Sequence, residues 1–278
     1  MELSDRLAAC LAASSVGELI GGHQARVFEV IYGDGRRGVA KVVDASLVDA
    51  ETVARRVQVV AGLADLDPRV CRPIPIDGRL LARITVDDFI GLVTCYEFAD
   101  GAAMDPSSVA DARRMGQELL RLHDSMSRLP ATELPLVAAL GITDPDSIGP
   151  GQLLHGDFNA ANLHQLNGSI KIFDFDDCGY GPRAFDVANA LYMVLFDASV
   201  SPTNAPYEPF KEAFISGYTD DAAFALDVEV LTELIDRRVS ALASWLDDLS
   251  NAPTGIRTAS PEWHGVLRCF VTDYNSAN

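Results

Sequence analysis

No apolar run in this 278-residue sequence approaches the ~20 residues that a membrane-spanning helix needs. No CxxC pair occurs either. The five cysteines, Cys10, Cys71, Cys95, Cys178 and Cys269, are odd in number and widely scattered. That argues against a disulfide framework or a cysteine zinc site and points to a reducing cytoplasm. Basic charge is scarce: 22 Lys and Arg face 40 Asp and Glu, for a formal net charge of -18. Nucleic acid is thereby disfavoured as a partner, because neutralising phosphates takes basic surface. Internal repeats and low-complexity tracts are also missing. The opening MELSDRLAACLAASS carries acids early and reads as an amphipathic helix, not a signal peptide.

What remains is a globular composition, 48% hydrophobic, able to bury a sizeable core. The acidity is lopsided. Through residue 98 there are 14 acids and 11 bases, a net of -3; from residue 99 there are 26 and 11, a net of -15. An acidic half of this kind steers cations toward it, and it also serves plain solubility.

The first ~100 residues read β-β-β-α-β-β. GELIGGHQARVFEVIYGDGRRGVAKVV alternates apolar and polar residues around the turn GDGRR, a hairpin signal. LVDAETVARRVQVVAGLA has helical spacing at Val48, Val53, Val57 and Val60 and is expected to stop near Gly62. GRLLARITV and FIGLVTCYEF are two further extended runs. Asp100-Gly101 then breaks the pattern, so the chain divides into residues 1–98 and 99–278. Beyond the break helices dominate. PSSVADARRMGQELLRLHDSMSRL carries a serine fit to cap it and an apolar stripe at Val109, Met115, Leu119, Leu122 and Met126. Further helices are expected near 206–218, within 221–250 and from Trp263 to Tyr274.

One stretch concentrates the chemistry. LHGDFNAANLHQLNGSIKIFDFDD, residues 154–177, crowds Asp157, Asn159, Asn162, Asp174, Asp176 and Asp177 around two short apolar runs. Asn167-Gly168 favours a type I′ turn, so LHQLNGSIKIFDF reads as a hairpin. Its return strand carries Asp174 back to the level of Asn162, and Asp157, Asn162 and Asp174 converge at one end. Carboxylates and an amide oxygen are hard ligands that suit Mg2+ with phosphate and water completing its shell. An aspartate beside such a metal, able to orient a hydroxyl, is what phosphoryl transfer from ATP requires.

HGDFNAANL followed by IKIFDFDDCGYGPRAFDVA resembles the catalytic core of the aminoglycoside phosphotransferase-like family, a small-molecule branch of the protein-kinase-like fold. The resemblance implies an α+β, bilobal protein-kinase-like fold. Residues 1–98 would be a nucleotide-binding lobe with a five-stranded antiparallel sheet and one helix, and residues 99–278 a mainly helical catalytic and substrate-binding lobe. It implies Asp157 as catalytic base, Asn162 and Asp174 as Mg2+ ligands, and ATP or GTP as phosphoryl donor. His155 would pack and hydrogen-bond the loop, and Asp186, in AFDVA, would brace the loop's backbone. Asp176 and Asp177 stay open between metal, substrate and solvent.

The fold also needs a lysine for the α- and β-phosphates and an acid to orient it. Lys41, in GVAKVV, is the only lysine before Lys171. Glu51 is its expected partner, with Asp49 second. No GxGxxG occurs; Gly22 and His23, in GGHQAR, stand where the phosphate loop would be. CYEFADG resembles the interlobe hinge, where the backbone at Glu97 and Ala99 would meet the purine. For the acceptor, Glu229, Glu233 and Asp236 share one face of the 221–250 helix, opposite an apolar stripe of Leu231, Ile235, Leu242, Trp245 and Leu249. Those acids serve either as a solvated face or, with Asp177, as a site for a cation. The expectation is a monomeric or weakly dimeric cytoplasmic kinase that phosphorylates a hydroxyl of a cationic antibiotic and confers resistance. The alternatives are a kinase of a small metabolite or of protein Ser/Thr, and a binding-only pseudokinase.

Overall fold

β-Branched and aromatic residues alternating with polar ones build the first sheet. In the computed structural model, which describes residues 2–19, 25–140, 151–200, 206–220 and 226–277, helix α1 (Leu3–Leu11) precedes strands β1 (Ala13–Leu19), β2 (Arg26–Tyr32) and β3 (Arg37–Asp44). Helix α2 (Ala50–Leu66) then leads to β4 (Ala82–Val86) and β5 (Phe89–Glu97). The five strands form one antiparallel sheet in the order β1-β2-β3-β5-β4. Leu3, Leu7 and Leu11 of α1 are buried in one cluster with Phe28, Val30, Ala40, Val42, Val93 and Cys95 of the sheet. Helix α2 continues through Gly62, where a stop was expected, to Leu66. Leu63 and Ala64 are buried there, and packing that turn outweighs the roughly 1 kcal/mol a mid-helix glycine costs.

The chain splits into two compact units, Met1–Asp100 with Pro253–Ala259 and Gly101–Ala252 with Ser260–Asn278. The second opens with β6 (Ala102–Ala103) and α3 (Val109–Met126), followed by β7 (Gln152–Leu154), β8 (Leu163–Leu166), β9 (Ser169–Ile172) and β10 (Gly179–Gly181). Its strands form a three-stranded sheet, β6-β8-β9, and a β10-β7 pair. Helices α4 (Ala184–Val200), α5 (Tyr207–Thr219), α6 (Val228–Asp247) and α8 (Pro261–Ala277) complete it, while α7 (Thr254–Arg257) counts with the first unit.

Ser108 caps α3, its hydroxyl accepting from Asp111 N–H at 3.3 Å. Met115, Leu119, Leu122 and Met126 of the expected stripe are buried, but Val109 is 59% exposed, because it stands in the first turn ahead of the packed face. Helix α4 has no counterpart among the expected helices. Ten of its residues, from Phe185 to Phe196, are buried, so it lacks the apolar–polar alternation that marks a surface helix. On α6, Leu231, Ile235 and Leu242 are buried as the stripe implied, whereas Leu249 falls past the helix end in a 3-10 turn. Helices α3 and α5 touch backbone to backbone at paired glycines. A Cβ on Gly116 would lie 2.1 Å from Phe214 O, and one on Gly217 1.9 Å from Arg113 O. No described helix is long and apolar enough to cross a membrane.

Candidate active site

The loop between β7 and β8 begins at His155 and is fastened from beneath. Asp186, fully buried in the first turn of α4, accepts from the backbone N–H of His155 at 2.8 Å and of Gly156 at 2.9 Å. It also pairs with His123 Nε2 at 3.0 Å. Burial alone would raise the Asp186 pKa, but the His123 hydrogen bond, the two histidines and the Gly156 N–H outweigh it and hold the carboxyl below its ordinary value. His123 is pushed the other way by burial, toward its neutral form. Its Nε2–H therefore donates to Asp186, and its Nδ1 accepts from Tyr218 O–H at 2.8 Å.

Gly156 takes φ +86°, and a Cβ there would lie 2.2 Å from Asp177 O, so only glycine lets the loop cross the segment after β9. His155 is buried, and desolvation lowers its pKa. Its Nε2–H donates to Phe173 O at 3.1 Å, and its Nδ1 accepts from Asp157 N–H at 3.3 Å, with the ring against Phe175 at 4.3 Å. The ring thus fastens both sides of the loop and presents no free nitrogen to a substrate.

Asp157 follows, held by three amides. Asn162 Nδ2 donates to its backbone oxygen at 2.9 Å and to Oδ2 at 3.2 Å, Asn159 Nδ2 donates to the same backbone oxygen at 3.0 Å, and Asn189 Nδ2 donates to Oδ1 at 3.3 Å. Burial, then the charges of Asp177 and Asp174, push its pKa from 3.8 to about 7, against the pull of Arg238 and the Asn189 hydrogen bond. A carboxylate poised near neutrality is suited to accept a proton from a hydroxyl.

Strands β8 and β9 form the expected hairpin, in the register Leu163↔Ile172. Asn167 (φ 51°) and Gly168 (φ 83°) supply the two left-handed positions of its turn. Phe173 N–H then bonds Asn162 O at 3.1 Å, which places Asp174 one residue beyond the rung that fixes Asn162. Asp174 has φ 67°, an unusual conformation for a non-glycine residue and one found at functional sites. One carboxylate and one amide oxygen fit a Mg2+ ion that arrives with phosphate and water in the rest of its shell. Among the described residues no group of three or more His, Cys, Asp or Glu forms a self-sufficient metal site.

In the first unit, Lys41 stands on β3 opposite Thr94 of β5 and is half-buried. Glu51 lies in the first turn of α2 with its carboxylate on Arg55 at 2.6 Å. Asp49 caps that helix, accepting from Thr52 N–H at 2.9 Å. At the end of β5, Glu97 N–H donates to Arg72 O at 2.9 Å, and Ala99 is buried. Arg37 pins the residues around Ala99, stacking on Phe98 at 3.5 Å and bonding Asp100 at 2.7 Å. Gly22 and His23 lie outside the described residues.

Of the helix acids, Glu233 and Asp236 line a cavity of about 500 Å³ whose wall also includes Arg237, Leu140, Ser240, Ser244 and Trp245. Glu233 is paired with Arg237 at 2.7 Å, and Asp236 accepts from Tyr274 O–H at 2.6 Å. Glu229 is exposed in the first turn of α6. Three residues at the site were not anticipated: His123, Asn189 and Arg238. The first two left a trace, being polar side chains inside otherwise apolar helical faces, where burial demands partners.

Residues 133–225 match the model of the phosphotransferase enzyme family, APH. No curated protein sequence matches the chain. Solved structures share its fold over nearly its full length. An amicoumacin kinase solved with AMP-PNP, Ca2+ and its ligand is 19% identical, with TM-score 0.72, over 95% of this chain and 88% of its own. A microcompartment-associated aminopropanol kinase is 19% identical, with TM-score 0.71, over 96% and 93%. A spectinomycin phosphotransferase in complex with ADP and spectinomycin is 12% identical, with TM-score 0.60, over 98% and 97%. The resemblance read from HGDFNAANL and its hairpin is borne out, and the α+β architecture is the kinase-like one it implied.

Proposed function

We propose that this chain, built on a kinase-like fold and carrying a phosphotransferase family segment, transfers the γ-phosphoryl group of ATP to a hydroxyl of a small amine-bearing molecule. The preferred acceptor class is a cationic antibiotic, which the added negative charge would inactivate. The observation that carries this reading is the environment of Asp157, a carboxylate held by the side-chain amides of Asn162 and Asn189 and raised toward neutrality beside Asn162 and Asp174.

In this reading the acceptor hydroxyl donates to Asp157. As its oxygen forms a bond to the γ-phosphorus, the bond from that phosphorus to the bridging oxygen breaks, ADP leaves, and the hydroxyl proton passes to the Asp157 carboxylate. Asn162 and Asp174 would hold Mg2+, which when bound neutralises phosphate charge. Lys41 would engage the α- and β-phosphates, Glu97 and Ala99 the purine, and Asp186 and His155 would keep the loop rigid. The residue 1–98 and 99–278 halves would serve as nucleotide-binding and catalytic lobes. The acidity of the second half, net -15, supports an amine-bearing acceptor. A second acceptor class, a small amino alcohol of metabolism, is favoured by the equally extensive likeness to the aminopropanol kinase.

The test is ATP consumption by the full chain with Mg2+ against aminoglycosides, other cationic antibiotics and small amino alcohols. Turnover that Asp157→Ala lowers by orders of magnitude supports the mechanism. Turnover of amino alcohols alone would move the acceptor to the second class. Equal rates for wild type and Asp157→Ala would refute the assignment of the base.

A further inference from the structure

Arg238 is the cation nearest in function to Asp157, and its surroundings are incomplete. It projects from α6, and its Nε donates to Asn189 Oδ1 at 3.3 Å, while the same amide's Nδ2 donates to Asp157 Oδ1 at 3.3 Å. One side-chain amide therefore spans the interval between the guanidinium and the candidate base. Aromatic rings flank the guanidinium, Tyr192 at 4.6 Å and Trp245 at 5.6 Å. Among the described residues no carboxylate pairs with it, and its buried Nη1 has no hydrogen-bond partner. A desolvated charged donor without an acceptor is costly, and such a group calls for an explanation. Asn189 and the two rings hold this guanidinium in place, and among the described residues nothing accepts from its Nη1.

We infer that Arg238 recognises a carbonyl oxygen of the acceptor, belonging to a carboxylate or a carboxamide borne close to the hydroxyl that Asp157 engages. The inference rests on the phosphotransferase reading above and narrows its acceptor. The planar fork of arginine matches an sp2 oxygen, whereas an ammonium in that position would meet a half-buried like charge. The amine of the acceptor then lies away from Arg238. Trp245 offers the route, since its ring lies under the guanidinium and also walls the cavity lined by Glu233 and Asp236, whose Oε1 and Oδ1 are taken by Arg237 and Tyr274 and whose second oxygens can still accept from an amine. The acceptor class is accordingly a hydroxy acid or hydroxy amide that also carries an amine.

Threonine, threoninamide and 1-amino-2-propanol test this directly. They share a hydroxyl and a neighbouring amine and differ in bearing a carboxylate, a carboxamide or hydrogen. Phosphoryl transfer from ATP-Mg2+ would be followed for the wild type and for Arg238→Ala and Arg238→Gln. The expected result is a preference in kcat/KM of about tenfold or more for threonine, threoninamide or both over 1-amino-2-propanol, because a hydrogen bond to a charged group is worth that much. Arg238→Ala should erase the preference and Arg238→Gln retain part of it for the amide; whichever probe leads tells carboxylate from carboxamide. The wild-type preference reads out independently of how well either variant folds. Three results would overturn the inference: equal wild-type use of all three probes, a wild-type preference for 1-amino-2-propanol, or an equal loss on all three in Arg238→Ala, which would make Arg238 a positioning residue for Asn189 alone. Wild-type hydrolysis of ATP with no transfer to any probe would refute this acceptor class and leave the kinase reading standing. Absence of any ATP turnover would instead strike the phosphotransferase reading itself.

Discussion

Replacing Asp157 with asparagine should stabilise the protein while disabling it. The folded state holds this carboxyl at about 7 against an ordinary 3.8, chiefly through burial and then through the charges of Asp177 and Asp174. A raised carboxyl pKa favours folding at low pH, where both states are protonated, and that benefit is lost as the unfolded chain ionises first. The interval of about three units corresponds to roughly 4 kcal/mol by the time pH exceeds 8. About 1.7 kcal/mol of it is already lost at pH 5, so the remaining 2–3 kcal/mol falls between about pH 5 and pH 8.5. Asparagine keeps the shape, retains an oxygen for Asn189 Nδ2 and carries no charge to desolvate. Urea unfolding of wild type and Asp157→Asn, in EDTA and without nucleotide, would measure the gap at both pH values. The variant should gain on the wild type by 2–3 kcal/mol across that window, with phosphoryl transfer lost. A gap that does not change with pH would refute the account of a carboxylate held against its own electrostatics.

Three further outcomes follow from the same structure. In the Asp157→Asn background, stability should fall below about pH 6.5 by up to ~1.4 kcal/mol per unit for each of His123 and His155, which the fold keeps neutral; replacing His155 by glutamine should roughly halve the slope measured by urea unfolding. Lys41→Met should leave the melting temperature close to wild type and lower kcat/KM for ATP by at least about tenfold, the loss of one charge-assisted phosphate contact. Gly217→Ala, whose Cβ would meet Arg113 O at 1.9 Å, should cost about 1–3 kcal/mol or more in urea unfolding, the range for overpacking.

Local signals were legible and long-range partnerships were not. The order β-β-β-α-β-β, the cap at Ser108 and the Asn167-Gly168 hairpin each depend on residues within a few positions of one another. Asp157, Asn162 and Asp174 could be brought together on paper because a single two-residue turn sets their register. Asn189 and Arg238 reach the same place from helices 32 and 81 positions beyond Asp157, and no periodicity reports which helix faces which loop. Helix α4 escaped for the opposite reason: it is apolar nearly all round. The surface acids hide their partners in a third way. Glu233 and Asp236 look available in a string of letters, yet Arg237 and Tyr274 already engage them.

The glycine seam between α3 and α5 has a reach well past the two helices it joins. Gly217 immediately precedes Tyr218, and His123 lies two turns along α3 from Gly116, so the depth of that contact sets the span from phenol to imidazole. His123 in turn meets the carboxylate on which the backbone of His155 and Gly156 hangs. A displacement of one helix by the width of a methyl group would thus be transmitted through three side chains to the floor of the candidate site. The seam works as a gauge block: the backbone contact of α3 with α5 sets the spacing from which, through Tyr218, His123 and Asp186, the loop that bears Asp157 is hung.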